Sequence, residues 1–339
     1  MRSRAIASEA GPGIALAIRG LATTFAMSTG LVRAVDGIDL DVRAGEVLGL
    51  VGESGCGKSV TLRSLVRLVR PPGRIEGRAI WQGNDLLALP ERELRDVRGK
   101  EIAMIFQEPM TALNPVLTIR QQIDENLKAH TGLGRAERTR RAIELLDLVG
   151  IPSAAERLDA YPHQFSGGMR QRVMIAIALA SQPRLLLADE PTTALDVTIQ
   201  DQILKLLLEL RDRLGMSVIL VTHDLGVVAQ TCDRVAVMYA GQIMEVGPVV
   251  EVFRNPRHAY TLGLLGSMPG GGTIRQPLRS IEGAPPSLID LPRGCPFAPR
   301  CTFVTDACRQ RRPDLVQVAA DHLSACVHHD QVARAGLPP

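Results

Sequence analysis

Short apolar runs separated by longer amphipathic stretches recur along most of the chain. Seven runs have the length and apolar character of strands, at residues 14–19, 31–42, 46–51, 77–81, 101–106, 184–188 and 217–221. Helical spacing of apolar residues is found between them, at 59–69, 90–98, 119–129, 135–149 and 197–214. Strands that alternate with helices in this way predict an α/β core.

Three segments depart from this alternation. Residues 118–150 contain two consecutive helices with charged faces and no strand signal, which predicts a helical insertion into the core. Residues 1–13 are small and polar with Gly and Pro, so we expect disorder there. Residues 267–294 are rich in Gly and Pro and predict an extended linker with little core of its own.

The composition is that of an ordinary globular chain. The 339 residues are 45% hydrophobic and carry a formal net charge of +3, which gives no large field to attract nucleic acid. Aromatic residues make up only 3%, which argues against a base-stacking surface. No apolar run approaches the about 18–20 residues needed to span a bilayer, and the N-terminus has no secretion signal. We therefore expect a cytosolic chain that reaches a membrane only through a partner.

A glycine-rich motif, GESGCGKS, joins the apolar run 46–51 to the helix 59–69 and fits the P-loop template. Glycines allow the backbone N–H groups to turn toward phosphates, which Lys58 can also reach, while the Ser59 hydroxyl can ligate Mg²⁺. An upstream aromatic, Phe25, can stack on adenine or can be a buried hydrophobic residue. The alternative for the motif is a Gly-rich turn with an incidental Lys. The predicted ATP-binding residues are Phe25, Gly52, Ser54, Gly55, Cys56, Gly57, Lys58, Ser59 and Val60.

Polar residues follow three of the predicted strands. Asp189 and Glu190 come at the end of the run 184–188, where Asp189 can hold Mg²⁺ and Glu190 can orient or deprotonate the attacking water. Gln107 and His223 follow two other runs, and either alone is more often a structural residue. Strand ends line the site of parallel α/β sheets, so we interpret Glu190, Gln107 and His223 as catalytic. The predicted Mg²⁺ ligands are Ser59, Gln107 and Asp189.

A second phosphate-binding signal is the Ser-Gly-Gly sequence at 166–168, which opens a helix that extends to about residue 180. Ser at a helix start is an N-cap, and a helix N-terminus is a site for anions. The P-loop already supplies one phosphate site, so the second one suggests a nucleotide held by another subunit.

Over residues 14–255, the chain resembles the ATP-binding subunit of an ABC transporter. The resemblance is carried by six motifs in the family's order: GESGCGKS (52–59), IFQEP with Gln107, FSGGM (165–169), LLLADE (185–190), ALD (194–196) and VTHD with His223. The resemblance implies a P-loop ABC nucleotide-binding domain with a helical subdomain at about 108–180. It also implies two subunits that sandwich two ATPs. Ser166, Gly167, Gly168 and Met169 then contact the partner's ATP, Asp196 links the two sites, and the loop after Gln107 couples to a membrane subunit.

The signature sequence of the family usually reads LSGGQ, whereas this chain has Phe165 and Met169 at the two outer positions. FSGGMRQR is similar to the oligopeptide/dipeptide importer branch, as is the tail from Asn255 to Thr261. That branch implies two permeases, a second ATPase subunit that is more often a paralogue than a copy, and an extracytoplasmic solute-binding protein. The chain then lies at the cytoplasmic face of the inner membrane. The alternatives are a soluble ABC ATPase that acts on nucleic acid or ribosomes, and a redox-sensing regulatory subunit.

Four of the six cysteines lie in a small C-terminal extension at 256–339, with the spacing C-x5-C-x6-C-x17-C. Thiols in a reducing compartment can hold an Fe–S cluster or zinc, or can remain free. The resemblance implies a [4Fe–4S] cluster on Cys295, Cys301, Cys308 and Cys326. The nearby His322, His328 and His329 are interpreted as solvated surface.

Overall fold

The structure is a computed structural model, which describes residues 11, 13–107, 112–193, 195–268 and 280–336. Most of the segment predicted to be disordered, and residues 269–279 of the predicted linker, lie outside the described residues. The chain divides into two compact units. Unit 1 comprises residues 1–42, 47–88 and 221–339, and unit 2 comprises residues 43–46 and 89–220.

The secondary structure alternates as the hydrophobic pattern predicts. The strands are β1 (Ile14–Met27), β2 (Gly30–Arg43), β3 (Val47–Val51), β4 (Gly73–Trp81), β5 (Asn84–Asp85), β6 (Ile102–Ile105), β7 (Leu185–Asp189), β8 (Ser217–Val221), β9 (Arg234–Tyr239), β10 (Gln242–Pro248), β11 (Val316–Ala319) and β12 (His322–Ser324). The α-helices are α1 (Lys58–Leu65), α2 (Glu91–Val97), α3 (Ile119–His130), α4 (Arg135–Leu148), α5 (Ala154–Arg157), α6 (Gly167–Ala178), α7 (Val197–Leu214), α8 (Leu225–Thr231), α9 (Val249–Arg254), α10 (Ala259–Gly266), α11 (Asp306–Gln310) and α12 (His329–Ala335).

One antiparallel sheet belongs to unit 1, in the order β2-β1-β4-β5. Strand β1 continues to Met27, well beyond the predicted end at residue 19. Its pairing with β4 shifts register between Arg19 and Ala22. A bulge of this kind interrupts the alternation of side chains, which explains why the apolar period ends early in the sequence.

Unit 1 also contains the strand order β11-β12-β10-β9-β3, in which β3 and β9 are parallel. Strands β9 to β12 lie beyond the seven predicted runs. In β10 the polar Gln242 and Glu245 interrupt the apolar pattern, yet both side chains are buried. The C-terminal extension shares the core of this unit, because Phe297 and Val332 pack in the same cluster as Val51 and Tyr239.

Unit 2 contains the strand order β8-β7-β6, with β6 and β7 parallel, together with helices α2 to α7. Helices α3 and α4 confirm the two predicted helices to within one residue at each end. Thr118 caps α3 through a capping box with Gln121, which explains the sharp start of that helix. Within the described ranges, no helix is both long enough and apolar enough to cross a membrane.

Candidate nucleotide-binding and hydrolysis site

The P-loop connects β3, all of whose residues are buried, to helix α1 in unit 1. Two of its glycines cannot be replaced without moving the backbone. A Cβ on Gly52 (φ +152°) lies 2.1 Å from the Met238 carbonyl oxygen, and a Cβ on Gly57 (φ +110°) lies 2.1 Å from the Ala34 carbonyl oxygen. The loop therefore lies directly against neighbouring backbone, which only glycine permits.

The ammonium group of Lys58 lies inside the loop. Its Nζ donates hydrogen bonds to the carbonyl oxygens of Gly52 at 2.8 Å and Glu53 at 3.0 Å. The buried Cys56 sulfur is 3.8 Å from the same Nζ, and burial raises the pKa of this thiol despite the nearby positive charge. The loop thus presents a cation on a pre-formed turn, as phosphate binding requires.

A cavity of about 550 Å³ in unit 1 is lined by Gly52 and Glu53 of the P-loop and by His223. His223 lies two residues after β8, before helix α8, which Asp224 caps by accepting hydrogen bonds from the N–H groups of Gly226 (2.8 Å) and Val227 (3.2 Å). His223 therefore lies beside the P-loop within this unit, and its catalytic role stays a prediction.

Phe25 lies at the end of β1, opposite Gly73 of β4. Its ring is half-buried and lies against Gly73, so a Cβ at that glycine is only 2.8 Å from the Phe25 Cε1 atom. The ring therefore packs on the β1–β4 pair, and stacking of Phe25 on adenine stays a prediction.

The predicted hydrolytic residues of unit 2 converge at the ends of two neighbouring parallel strands. Gln107, two residues after β6, donates from Nε2 to the Glu190 Oε2 atom at 3.3 Å. Glu190 directly follows β7, whose last residue, Asp189, is fully buried. Parallel strands bring their carboxyl ends to one edge, so the meeting of Gln107 and Glu190 follows from the topology. The loop at 108–111, predicted to couple to a membrane subunit, lies outside the described residues.

A threonine that the sequence reasoning missed also holds Glu190. The Thr193 hydroxyl donates to Glu190 Oε2 at 2.8 Å, and the Thr193 N–H donates to the Glu190 carbonyl at 3.2 Å. Glu190 has a φ of +47°, in the left-handed region that is uncommon for a non-glycine residue. Strained backbone of this kind is concentrated at functional sites and needs support from its surroundings. The signal in the sequence was the pair of threonines just after Asp189-Glu190-Pro191.

The predicted signature segment opens helix α6 in unit 2. Ser166 is the N-cap, and its Oγ accepts a hydrogen bond from the Met169 N–H at 3.3 Å. Ser166 and Gly167 are exposed, so they are open to a ligand. The unusual Phe165 is buried beneath Arg157, whose guanidinium lies 5.8 Å from the ring centroid. Phenylalanine at this position therefore anchors the segment.

Asp196 caps helix α7 by accepting a hydrogen bond from the Ile199 N–H at 3.0 Å. The same isoleucine packs against Gly168, where an added Cβ lies 2.8 Å from Ile199 Cγ2. The structure thus brings the predicted D-loop and signature residues together around one side chain.

The four C-terminal cysteines are neighbours in one core cluster of unit 1. Burial, together with the neighbouring thiols, raises the pKa of Cys295 to about 12 and that of Cys326 to about 11. Burial likewise raises the pKa of Cys301. No group of three or more Cys, His, Asp or Glu side chains among the described residues is placed to hold a metal ion. The prediction of a [4Fe–4S] cluster, or of zinc, is therefore not supported.

One histidine of the tail is also placed differently from the prediction. His322 is 1% exposed rather than solvated, and its Nε2 lies 2.7 Å from Oε1 of the fully buried Glu245. His328 and His329 are half-buried. The His322 contact fastens β12 to β10, with which it pairs.

Two family models match the chain. The ABC transporter model matches residues 35–193, and the model of the C-terminal region of oligopeptide/dipeptide transporters matches residues 244–308. A putative peptide import ATP-binding protein of Brucella melitensis is 51% identical over 331 residues, covering 94% of this chain and 98% of the relative. The oligopeptide transport ATP-binding protein OppD of Salmonella typhimurium is 48% identical over 313 residues, covering 92% and 93%.

Solved structures of ATP-binding cassettes have the same fold. A dimeric ATP-binding cassette in a post-hydrolysis state, bound to ADP and Pi, has a TM-score of 0.62 and 30% identity over 69% of this chain and 98% of its own. The cbiO1 protein of Clostridium perfringens, part of an ABC transporter complex, has a TM-score of 0.60 and 29% identity over 71% and 91%. With its P-loop, carboxylates and signature helix in place, the chain belongs to the ABC transporter ATP-binding proteins, in their oligopeptide/dipeptide branch, and is an ABC ATPase.

Proposed function

We propose that this chain is the ATP-hydrolysing subunit of a binding-protein-dependent ABC importer for oligopeptides or dipeptides. The observation that carries the proposal is the match at residues 244–308 to the C-terminal region of oligopeptide/dipeptide transporters, beyond the ABC match at 35–193. The relatives, similar along nearly their whole length, are named for peptide import and oligopeptide transport. No observation favours the alternative of an ATPase that acts on nucleic acid or ribosomes.

In the proposed hydrolysis step, Glu190 orients or deprotonates the water that attacks the γ-phosphate. Support comes from the two hydrogen bonds, from Gln107 and Thr193, that aim its Oε2 atom. His223 is proposed to contact the γ-phosphate, because it lines the same cavity as the P-loop residues Gly52 and Glu53. Lys58 is proposed to contact the β- and γ-phosphates, because its ammonium group lies inside the P-loop.

Mg²⁺ is proposed as the cofactor of ATP, with Ser59, Gln107 and Asp189 as its ligands. The donor set fits, because it consists of hydroxyl, amide and carboxylate oxygens, which Mg²⁺ prefers. Asp189 is the buried last residue of β7 and directly precedes Glu190, so its carboxylate lies at the strand end where the hydrolytic residues of unit 2 meet. When bound, Mg²⁺ neutralises phosphate charge in the transition state.

The ATPase is proposed to act as a pair of subunits. Ser166, Gly167, Gly168 and Met169 then contact the ATP on the P-loop of the second subunit, with Asp196 between the two sites. The exposure of Ser166 and Gly167 at a helix start supports this role. We expect a paralogue rather than a copy as the second subunit, joined by two permeases and an extracytoplasmic solute-binding protein. The complex lies at the cytoplasmic face of the inner membrane.

The proposal also keeps the predicted domain boundaries, with the ATPase domain at 14–255, its helical subdomain at about 108–180, and the C-terminal extension at 256–339. A [4Fe–4S] cluster in that extension, or zinc in its place, is the finer cofactor prediction, and the side-chain positions give it no support. Iron, sulfide and zinc analysis of chain purified without oxygen decides it. Bound iron and sulfide support the cluster, and bound zinc supports the alternative. If no metal is found, the four cysteines are free thiols.

The test of the function is affinity purification from native membranes in mild detergent, followed by mass spectrometry. Two permeases, a second ATPase and a solute-binding protein are expected, and the peptides carried by that binding protein identify the cargo. The Glu190→Gln variant with ATP is the matched comparison, because a persistent ATP sandwich raises recovery of the second ATPase. Recovery of ribosomes or nucleic acid without permeases contradicts the importer assignment.

A further inference from the structure

The C-terminal extension reaches the P-loop through one ion pair. Arg300, in a short 3-10 turn at 298–300, donates from Nη1 to Glu53 Oε1 at 3.0 Å and to Oε2 at 2.8 Å. The Arg300 side chain is 6% exposed and that of Glu53 is 23% exposed. Glu53 is the second residue of the P-loop, so a residue 247 positions away holds the phosphate-binding turn.

The guanidinium of Arg300 is fixed by contacts on all sides. Its Nε donates to the Glu282 carbonyl at 3.0 Å and its Nη2 to the Ile281 carbonyl at 3.1 Å. Nη1 also lies 3.2 Å from the Tyr239 hydroxyl. With its donors occupied in this way, Arg300 is held in one position rather than extended toward a ligand.

A second contact from the same region holds the backbone of Glu53. The Glu53 N–H donates to the hydroxyl of the buried Tyr260 at 2.9 Å, while the Glu53 carbonyl accepts from Lys58 Nζ. The backbone N–H, the backbone carbonyl and the side chain of Glu53 are thus all held by hydrogen bonds. Glu53 also lines the cavity of unit 1, together with Gly52 and His223.

A carboxylate in this place needs a counter-charge. The P-loop binds a triphosphate, and an unpaired negative charge beside it raises the electrostatic cost of bringing the nucleotide in. Arg300 supplies a charge-assisted contact from Nη1 to both carboxylate oxygens of Glu53, in a position largely shielded from water. Removal of Arg300 leaves the Glu53 charge partly buried and without this partner.

We propose that Arg300 is a positioning residue of the nucleotide site, which neutralises Glu53 and thereby makes the ATP affinity of the P-loop depend on the C-terminal extension. This inference rests on ATP binding at the P-loop, as in the proposed function. It gives the extension, which lies outside the ABC transporter match at 35–193, a direct role in nucleotide binding.

The test is equilibrium binding of a fluorescent ATP analogue to the purified full chain and to Arg300→Met, Glu53→Gln and the double variant. Arg300→Met is expected to weaken binding about tenfold, equivalent to ~1.4 kcal/mol. In the Glu53→Gln background the same change shifts affinity less than about twofold, because the charge to be neutralised is gone. The loss in Arg300→Met also shrinks at high salt, since it is electrostatic.

Arg312→Met is the matched control. Arg312 also comes from the C-terminal extension and pairs with Asp36 at 3.1 Å, but its partner belongs to β2 and not to the P-loop. The affinity of the Arg312→Met variant for the analogue is expected to stay within about twofold of the wild type. Arg300→Lys keeps the positive charge and is expected to retain most of the affinity. It replaces Arg300→Met as the test variant if Arg300→Met does not fold.

Two results overturn the proposal. One is unchanged binding in a folded Arg300→Met variant. The other is an equal loss in the presence and absence of the Glu53 carboxylate, because Arg300 then acts only through packing and its carbonyl contacts. Failure of the wild-type chain to bind the analogue contradicts the ATP site itself and is distinguishable from both.

Discussion

Replacement of Thr193 by valine removes the hydroxyl that aims Glu190 and keeps the size of the side chain. The lost bond is 2.8 Å long and ends on a carboxylate oxygen. A hydrogen bond to a charged group contributes about 1.5–3 kcal/mol, and each 1.4 kcal/mol in the barrier is a factor of ten in rate. The 3.3 Å bond from Gln107 to the same oxygen remains, so the low end applies. We expect kcat for ATP to fall about tenfold.

The assay is steady-state phosphate release, with the variant measured beside Thr192→Val. Thr192 is buried one residue earlier, so its replacement removes a threonine hydroxyl from the same segment and keeps the size of the side chain. KM for ATP is expected to change less than about twofold, because the proposed role of Glu190 is to act on the attacking water and not on nucleotide binding. An unchanged kcat in Thr193→Val, or an equal fall in Thr192→Val, refutes the assignment of Thr193 as the residue that positions Glu190.

Four further predictions concern the site and the core of unit 1. Glu190→Gln is expected to bind ATP but abolish turnover, so near-normal phosphate release in this variant removes Glu190 from the role of base. Gly52→Ala is expected to abolish nucleotide binding in a fluorescence titration, because its Cβ lies 2.1 Å from a backbone oxygen; retained binding contradicts the tight packing. Glu245→Leu should lower the free energy of unfolding in urea by about 3–5 kcal/mol, since its carboxylate accepts hydrogen bonds from two N–H groups and contacts His322; a loss under 1 kcal/mol contradicts this. Burial lowers the pKa of His258 to about 3, so the folded state keeps this ring neutral. The free energy of unfolding therefore falls as pH drops below the unfolded pKa near 6.5, by about 2 kcal/mol at pH 5. His258→Asn, which can still cap α10, should lose about 2 kcal/mol less than the wild type between pH 7 and pH 5, as measured by urea unfolding.

Sequence reasoning located the elements well where one face of an element is buried. The run 46–51 became β3, and the two helices of the insertion became α3 and α4, because a single buried face imposes a period on consecutive residues. It was less accurate for β1, where a bulge breaks that period. It gave no signal for β10, whose buried polar residues are paired through the fold.

Sequence reasoning also located part of the site. Gln107 and Glu190 were expected to meet because both follow buried strands, and the ends of parallel strands share an edge. Thr193 was missed, since nothing in its local pattern distinguishes it from Thr192. The four C-terminal cysteines were correctly grouped as neighbours, but their burial as thiols is a property of the surrounding core, which spacing does not record.

By itself, the sequence determined the α/β class, the order of the motifs and the chemistry that each motif can perform. These properties depend on residue type and on local periodicity, which act over a few neighbouring residues. Only the tertiary structure decided that Arg300 holds Glu53 and that His322 contacts Glu245, partners separated by 247 and 77 positions. Contacts of that separation form only when the chain has folded, because specific packing brings together side chains whose pairing leaves no period in the sequence.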